Sequence, residues 1–176
     1  KTAATVKDED FIEKLFVANS HDTILCFSSL GKVYWLKVYD IPQSGRSAKG
    51  KAIVNILPLA QYEKITAIQK VSKYDENLFV LMATSKGVIK KTKLSDFSRP
   101  RSSGLIAINL KDGDNLIEVS ITNGEKQIML FSSAGKAIHF KENEPDSPLF
   151  QLLYVLPPQS KQLLPKQLQY IMTNES

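Results

Sequence analysis

Residues Gly45-Arg-Ser-Ala-Lys-Gly50-Lys51-Ala52 follow the phosphate-loop pattern G-x-x-x-x-G-K for seven positions. The eighth position of that pattern needs a hydroxyl to hold a magnesium ion, and Ala52 has none. A phosphate loop also opens a helix, whose N-terminal amides cradle the phosphate. Here the loop opens Ala52 to Leu57, an apolar run that reads as a strand. The segment therefore offers basic charge without nucleotide chemistry. The two histidines, His21 and His139, lie far apart with no zinc-like spacing, so no metal is expected. Cys26 is the only cysteine and sits in an apolar run, where it reads as a reduced core thiol rather than a nucleophile. Ser28, Ser29, Ser132 and Ser133 fall in tight-turn sequences, and nothing resembles a nucleophile elbow. Asp8, Glu9, Asp10 and Glu13 read as a solvated acidic face. No catalytic residue and no cofactor is assigned.

What recurs is positive charge. Arg46, Lys49 and Lys51 cluster in the first loop, and Lys86, Lys90, Lys91, Lys93, Arg99 and Arg101 run through a later segment with only Asp96 opposing them. Lys32 and Lys136 flank two of the tight turns, and the chain carries a net charge of +5. Lysine and arginine at equivalent places of a repeat neutralise phosphates and release counterions, which gives affinity without reading sequence. These eleven residues are the candidate contacts to the phosphates of a polyanion such as nucleic acid. Tyr34, Trp35 and Tyr39 have the side chains for base stacking, but alternating along a strand they read first as packing.

The elements that must position these residues form a repeat. Thr23–Phe27 and Lys32–Tyr39 are β-rich runs around Ser28-Ser29-Leu30-Gly31. The unit returns around Thr84-Ser85-Lys86-Gly87 and Ser132-Ser133-Ala134-Gly135. The shared turn is Ser/Thr-Ser-x-Gly, whose glycine supplies the positive φ of a short hairpin. A strand-like run precedes each hairpin (10–18, 63–71 and 114–121). The first two hairpins are each followed by a basic loop and a further strand, Ala52–Leu57 and Leu105–Leu110. Four strands in about 50 residues is the period of a propeller blade, so an all-β array is expected. The units run over about 9–58, 59–110 and 111–144. Residues 145–176 form an atypical tail rich in proline and glutamine, with a short helix expected over Lys166–Met172. The 176 residues, 43% hydrophobic and 23% charged, suit a globular domain. No apolar run nears the roughly 18 residues of a membrane helix. Lys1 to Asp10 is too polar for a signal peptide. The chain does not open on methionine, and is expected to be a fragment or a processed chain.

Across these units the sequence resembles the C-terminal domain of the DNA gyrase A subunit, which shares its form with the A subunit of topoisomerase IV. The resemblance is carried by Asp10-Phe-Ile-Glu-Lys-Leu-Phe-Val-Ala-Asn-Ser-His-Asp-Thr-Ile-Leu-Cys-Phe-Ser-Ser, which closely resembles the gamma-proteobacterial type. It continues through Ile53-Val-Asn-Ile-Leu-Pro-Leu, Phe97 to Leu110 and Phe131-Ser-Ser-Ala-Gly-Lys. It covers residues 1–144. The resemblance implies a β-pinwheel, propeller-like but with one strand of each unit crossing to a neighbouring blade, and about three of six units present. It implies that the rim binds and bends duplex DNA, supporting the wrapping used for negative supercoiling. It implies the rest of the gyrase A subunit and the gyrase B subunit as partners, and the bacterial cytoplasm, at the nucleoid, as location. Strand passage and ATP hydrolysis belong to other parts of that enzyme, so this chain is expected not to be an enzyme by itself.

The family's basic box, Gln-Arg-Arg-Gly-Gly-Lys-Gly, lies just before the segment matching Lys1–Ala4, so binding without full wrapping is expected. A three-unit crescent has two open edges. Either self-association or the tail is expected to cover one. The rival reading is a propeller-like protein-interaction module with an incidental basic rim.

Overall fold

The computed structural model describes residues 15–43, 51–132, 135–143 and 170–173. Three hairpins form the frame: β1 (Thr23–Ser28) with β2 (Lys32–Lys37), β4 (Phe79–Thr84) with β5 (Ile89–Lys93), and β8 (Gln127–Phe131) with β9 (Ala137–Lys141). The other strands are β3 (Ile65–Val71), β6 (Leu105–Ile106), β7 (Leu116–Thr122) and β10 (Tyr170–Thr173). There is no α-helix among the described residues, only short 3-10 turns at Val38–Asp40, Ile53–Asn55 and Leu94–Phe97.

All three hairpins turn by the same hydrogen bonds. The amides of Gly31, Gly87 and Gly135 donate to the carbonyls of Ser28, Thr84 and Ser132. The hydroxyls of those same three residues accept from the amides of Lys32, Val88 and Lys136. Gly31 has φ +76°, and a Cβ placed on it would lie 2.4 Å from the Ile108 carbonyl oxygen. No side chain fits there.

The strand order in the three sheets is β3-β1-β2-β6, β5-β4-β7 and β10-β8-β9. Each hairpin thus takes its extra strand from further along the chain. β3 runs toward the second hairpin yet pairs with β1 of the first, and β7 runs toward the third yet pairs with β4 of the second. β6 leaves the second sheet and pairs with β2 in the first. Strand exchange between neighbouring sheets is therefore built into the topology.

The period-2 alternation of the strands stacks the sheets. Leu25, Phe27 and Val33 of the first sheet meet Val80, Met82 and Val119 of the second, with Leu94, Phe97 and Ile108 between them. Leu81 and Ile89 turn the other way, onto Ile128, Leu130 and Phe140 of the third sheet. On the outer face of the first sheet, Ile24, Cys26 and Tyr34 are covered by Leu57. β1 is buried along its whole length, so its apolar run is continuous, whereas β8 alternates as a half-covered strand does.

Four local expectations are corrected. Ala52–Leu57 is not a strand: it holds a 3-10 turn at Ile53–Asn55. By analogy with β6, it would pair with a sheet preceding the first, and the described residues contain none. For the same reason residues 15–18 have no strand partner, while 10–14 lie outside the described residues. In the tail, Tyr170–Met172 belongs to strand β10, not a helix, and Lys166–Gln169 lie outside the described residues. The strand expected over Leu105–Leu110 is confined to Leu105–Ile106.

Candidate nucleic-acid interface

The connection from β5 to β6 leaves the second sheet and enters the first, and it carries Lys93, Arg99 and Arg101. Its two ends are held by packing. At the start, Leu94 and Phe97 are buried, and Phe97 meets Phe27 edge to face with ring centroids 6.0 Å apart. The indole N–H of Trp35, on β2, donates to the Phe97 carbonyl at 2.7 Å. At the end, Gly104 has φ +77° and lies so close to Tyr34 that a Cβ would sit 2.7 Å from its ring. Between these anchors Ser98 to Ser103 are all exposed. Arg99 and Arg101 share an open depression of ≈350 Å³ with Ser95, Ser98, Asp96 and Leu105. Two guanidiniums and two hydroxyls on a short anchored connection suit a phosphate diester, and the single carboxylate of Asp96 leaves the balance positive.

The other candidate lysines divide by what holds them. Lys90 Nζ donates to the Ala107 carbonyl at 2.7 Å, which ties β5 to the segment after β6. Lys91 lies over the Phe79 ring, 4.7 Å from its centroid. Lys86 Nζ donates to the Asp112 carbonyl. Lys32 sits near Glu63, and its charge lowers the pKa of that carboxyl. Lys51, Lys93 and Lys136 are exposed. Arg46 and Lys49 lie outside the described residues. The fold therefore gathers Arg99 and Arg101 in one place, while Lys86, Lys90 and Lys91 each have a partner within the chain.

The side chains with other possible chemistry take structural roles. Trp35 packs against the core as expected, but the packing expected of Tyr39 is corrected: it lies in the 3-10 turn Val38–Asp40 beyond the end of β2 and is exposed. Cys26 is buried, and burial pushes its thiol up to about 12. His139 contacts Gln127 at 2.8 Å. Among the described residues no group of three or more His, Cys, Asp or Glu is placed to hold a metal ion.

The second serine of the turn has a role that turn chemistry does not predict: it reaches the next unit. Ser29 Oγ accepts from the Lys64 amide, and Ser85 Oγ from the Asn115 amide. Beside each sits a buried carboxylate. Glu63 accepts from the Tyr34 hydroxyl and the Ala60 amide, and Asp114 from the Ser85 hydroxyl and the Lys86 amide. In the sequence this shows only as an acid two residues before β3 and before β7. Such an acid has no meaning until those strands are known to pair with the preceding hairpin.

A family model described as DNA gyrase C-terminal domain, beta-propeller, matches residues 22–72, 79–123 and 126–144. The DNA gyrase A subunit of Haemophilus influenzae is 62% identical over 143 residues, which is 81% of this chain and 16% of that protein. The chain thus spans about a sixth of the length of the curated relatives it matches. Among solved structures, the C-terminal domain of DNA topoisomerase IV is similar with a TM-score of 0.73 and 29% identity. That match covers 80% of this chain and 44% of that one. The DNA gyrase A C-terminal domain is similar with a TM-score of 0.56 and 25% identity, covering 72% and 39%.

Proposed function

The chain belongs to the DNA gyrase C-terminal domain family, and on that premise we propose that its basic connections bind duplex DNA without reading sequence and bend it along the rim of the sheet stack. The observation that carries this reading is the anchored β5–β6 connection. It crosses between two sheets and presents Arg99 and Arg101 at one exposed depression. Lys93 opens the same connection. Arg46, Lys49 and Lys51 take the corresponding connection after the first hairpin, and Lys136 lies beside the third turn. Lys32, Lys86, Lys90 and Lys91 contribute to the positive field from positions already tied to the protein.

In the parent enzyme such binding supports the wrapping that precedes negative supercoiling, with the rest of the gyrase A subunit and the gyrase B subunit as partners, at the bacterial nucleoid. The domain, residues 1–144 in three units, holds DNA and leaves strand passage to the rest of the enzyme. Bending a short duplex costs on the order of 1–6 kcal/mol, so several connections must engage together.

The test is fluorescence anisotropy of the full chain on duplexes of unrelated sequence across a salt series. Affinity is expected to be sequence-independent and to fall steeply with salt. Arg99→Ala with Arg101→Ala should weaken every duplex alike and flatten the salt slope by about 0.9 for each phosphate no longer neutralised. A flat salt response, or an unaltered slope in the double variant, would refute the reading.

A further inference from the structure

The third sheet is completed from far along the chain, and in a particular register. Thr23, Phe79 and Gln127 open the three hairpins at the same distance from Gly31, Gly87 and Gly135. In the first sheet, Thr23 faces Val71 and Cys26 faces Ile68. In the second, Phe79 faces Thr122 and Met82 faces Val119. In the third, Gln127 faces Thr173 and Leu130 faces Tyr170. β10 therefore lies on β8 in the same direction, on the same edge and in the same register as β3 on β1 and β7 on β4. The sequence agrees at the aligned positions: Thr122 closes β7 and Thr173 closes β10, and in the sequence an asparagine follows each.

We propose that Tyr170–Thr173 is a stand-in repeat strand that seals the acceptor edge of β8 and so keeps the chain from pairing with a second copy of itself. An uncovered edge strand is a template for another chain. The same molecule carries a ready donor. Leu15 and Val17 are 85% and 88% exposed, and they precede the first hairpin as β3 and β7 precede theirs. β3 and β7 each dock on the hairpin before them. The 15–17 segment has no such hairpin among the described residues, and β8 of a second copy offers the edge it lacks. With β10 in place that edge is filled.

The experiment uses the full chain. Hydrogen exchange of Gln127–Phe131 is measured across protein concentrations, with sedimentation velocity alongside. Slow exchange at every concentration in a monomer is expected. Ile171→Pro removes a donor from β10 and should speed exchange in β8 by at least about tenfold while β4 stays protected. The same variant should self-associate, and adding Val17→Lys should return it to a monomer. A second measurement does not depend on the proline variant folding. Gln127→Cys with Thr173→Cys, or Ile128→Cys with Met172→Cys, should crosslink within one chain, and the out-of-register pair Gln127→Cys with Ile171→Cys should not. Unchanged β8 exchange in Ile171→Pro, crosslinks formed only between chains, or β8 protection that grows with concentration would each overturn the proposal.

Discussion

At the scale of single residues, Glu63 shows how a buried charge is made tolerable. The residue is 4% exposed, and burial by itself pushes its carboxyl upward. Hydrogen bonds from Ser28, the Ala60 amide and Tyr34, together with the Lys32 charge, outweigh that and hold it below its ordinary 4.5. A carboxyl depressed in the folded state contributes stability above its unfolded pKa and loses it as pH falls through the folded one. Glu63→Gln should therefore cost about 1.5–3 kcal/mol in urea denaturation at neutral pH. It should also flatten the stability profile below about pH 4.5, near the unfolded carboxylate value. Across the bond, burial and then the Glu63 carboxylate push the Tyr34 phenol up to about 12. Cys26 gives a second prediction at this scale. With its thiol raised to about 12 and its side chain 1% exposed, it should resist a disulfide reagent at pH 8 in the folded protein. Labelling should then follow the opening of the first sheet. Rapid stoichiometric labelling of native protein would contradict the burial.

At the scale of elements, the repeated turn is chemically uniform but mechanically unequal. Gly31 and Gly135 have nearly the same φ, +76° and +75°. A Cβ on Gly135 meets nothing within 4 Å, whereas one on Gly31 collides with the Ile108 carbonyl. The Gly31 carbonyl also accepts from the amides of Ala107 and Ile108, so this turn clamps the connection that brings β6 back to the first sheet. Gly135→Ala should cost only the left-handed conformation, about 1–2 kcal/mol. Gly31→Ala should cost more by at least about 1 kcal/mol, because overpacking itself costs about 1–3 kcal/mol. Equal melting shifts for the two variants would show that the clamp contributes nothing. The three turns were legible from Ser/Thr-Ser-x-Gly alone, since their hydrogen bonds close within four residues. The clamp was not, because Ile108 approaches Gly31 only through the fold.

At the scale of the whole molecule, the formal charge of +5 understates how unevenly the charge is held. Lys86, Lys90 and Lys91 stabilise connections inside the chain, while Arg99 and Arg101 stand on a tethered, exposed crossing. The salt slope measured on DNA should thus count fewer phosphates than there are basic residues. The stack also explains why sheets that read alike behave differently. The first two are covered on both faces, and β8 belongs to a sheet half-covered at the end of the described array.

Composition, the turn signature and strand alternation by themselves determined an all-β repeat of hairpins with basic connections, because those signals act over a few residues. Tertiary structure decided which strand joins which sheet. Leu105–Ile106 and Ile53–Asn55 follow similar basic loops, yet one is a strand and the other a 3-10 turn. The difference is that Leu105 and Ile106 find β2 of a preceding sheet, and Ile53–Asn55 find none among the described residues. A strand is completed by its neighbour's backbone, and which neighbour is present is a property of the fold rather than of the segment.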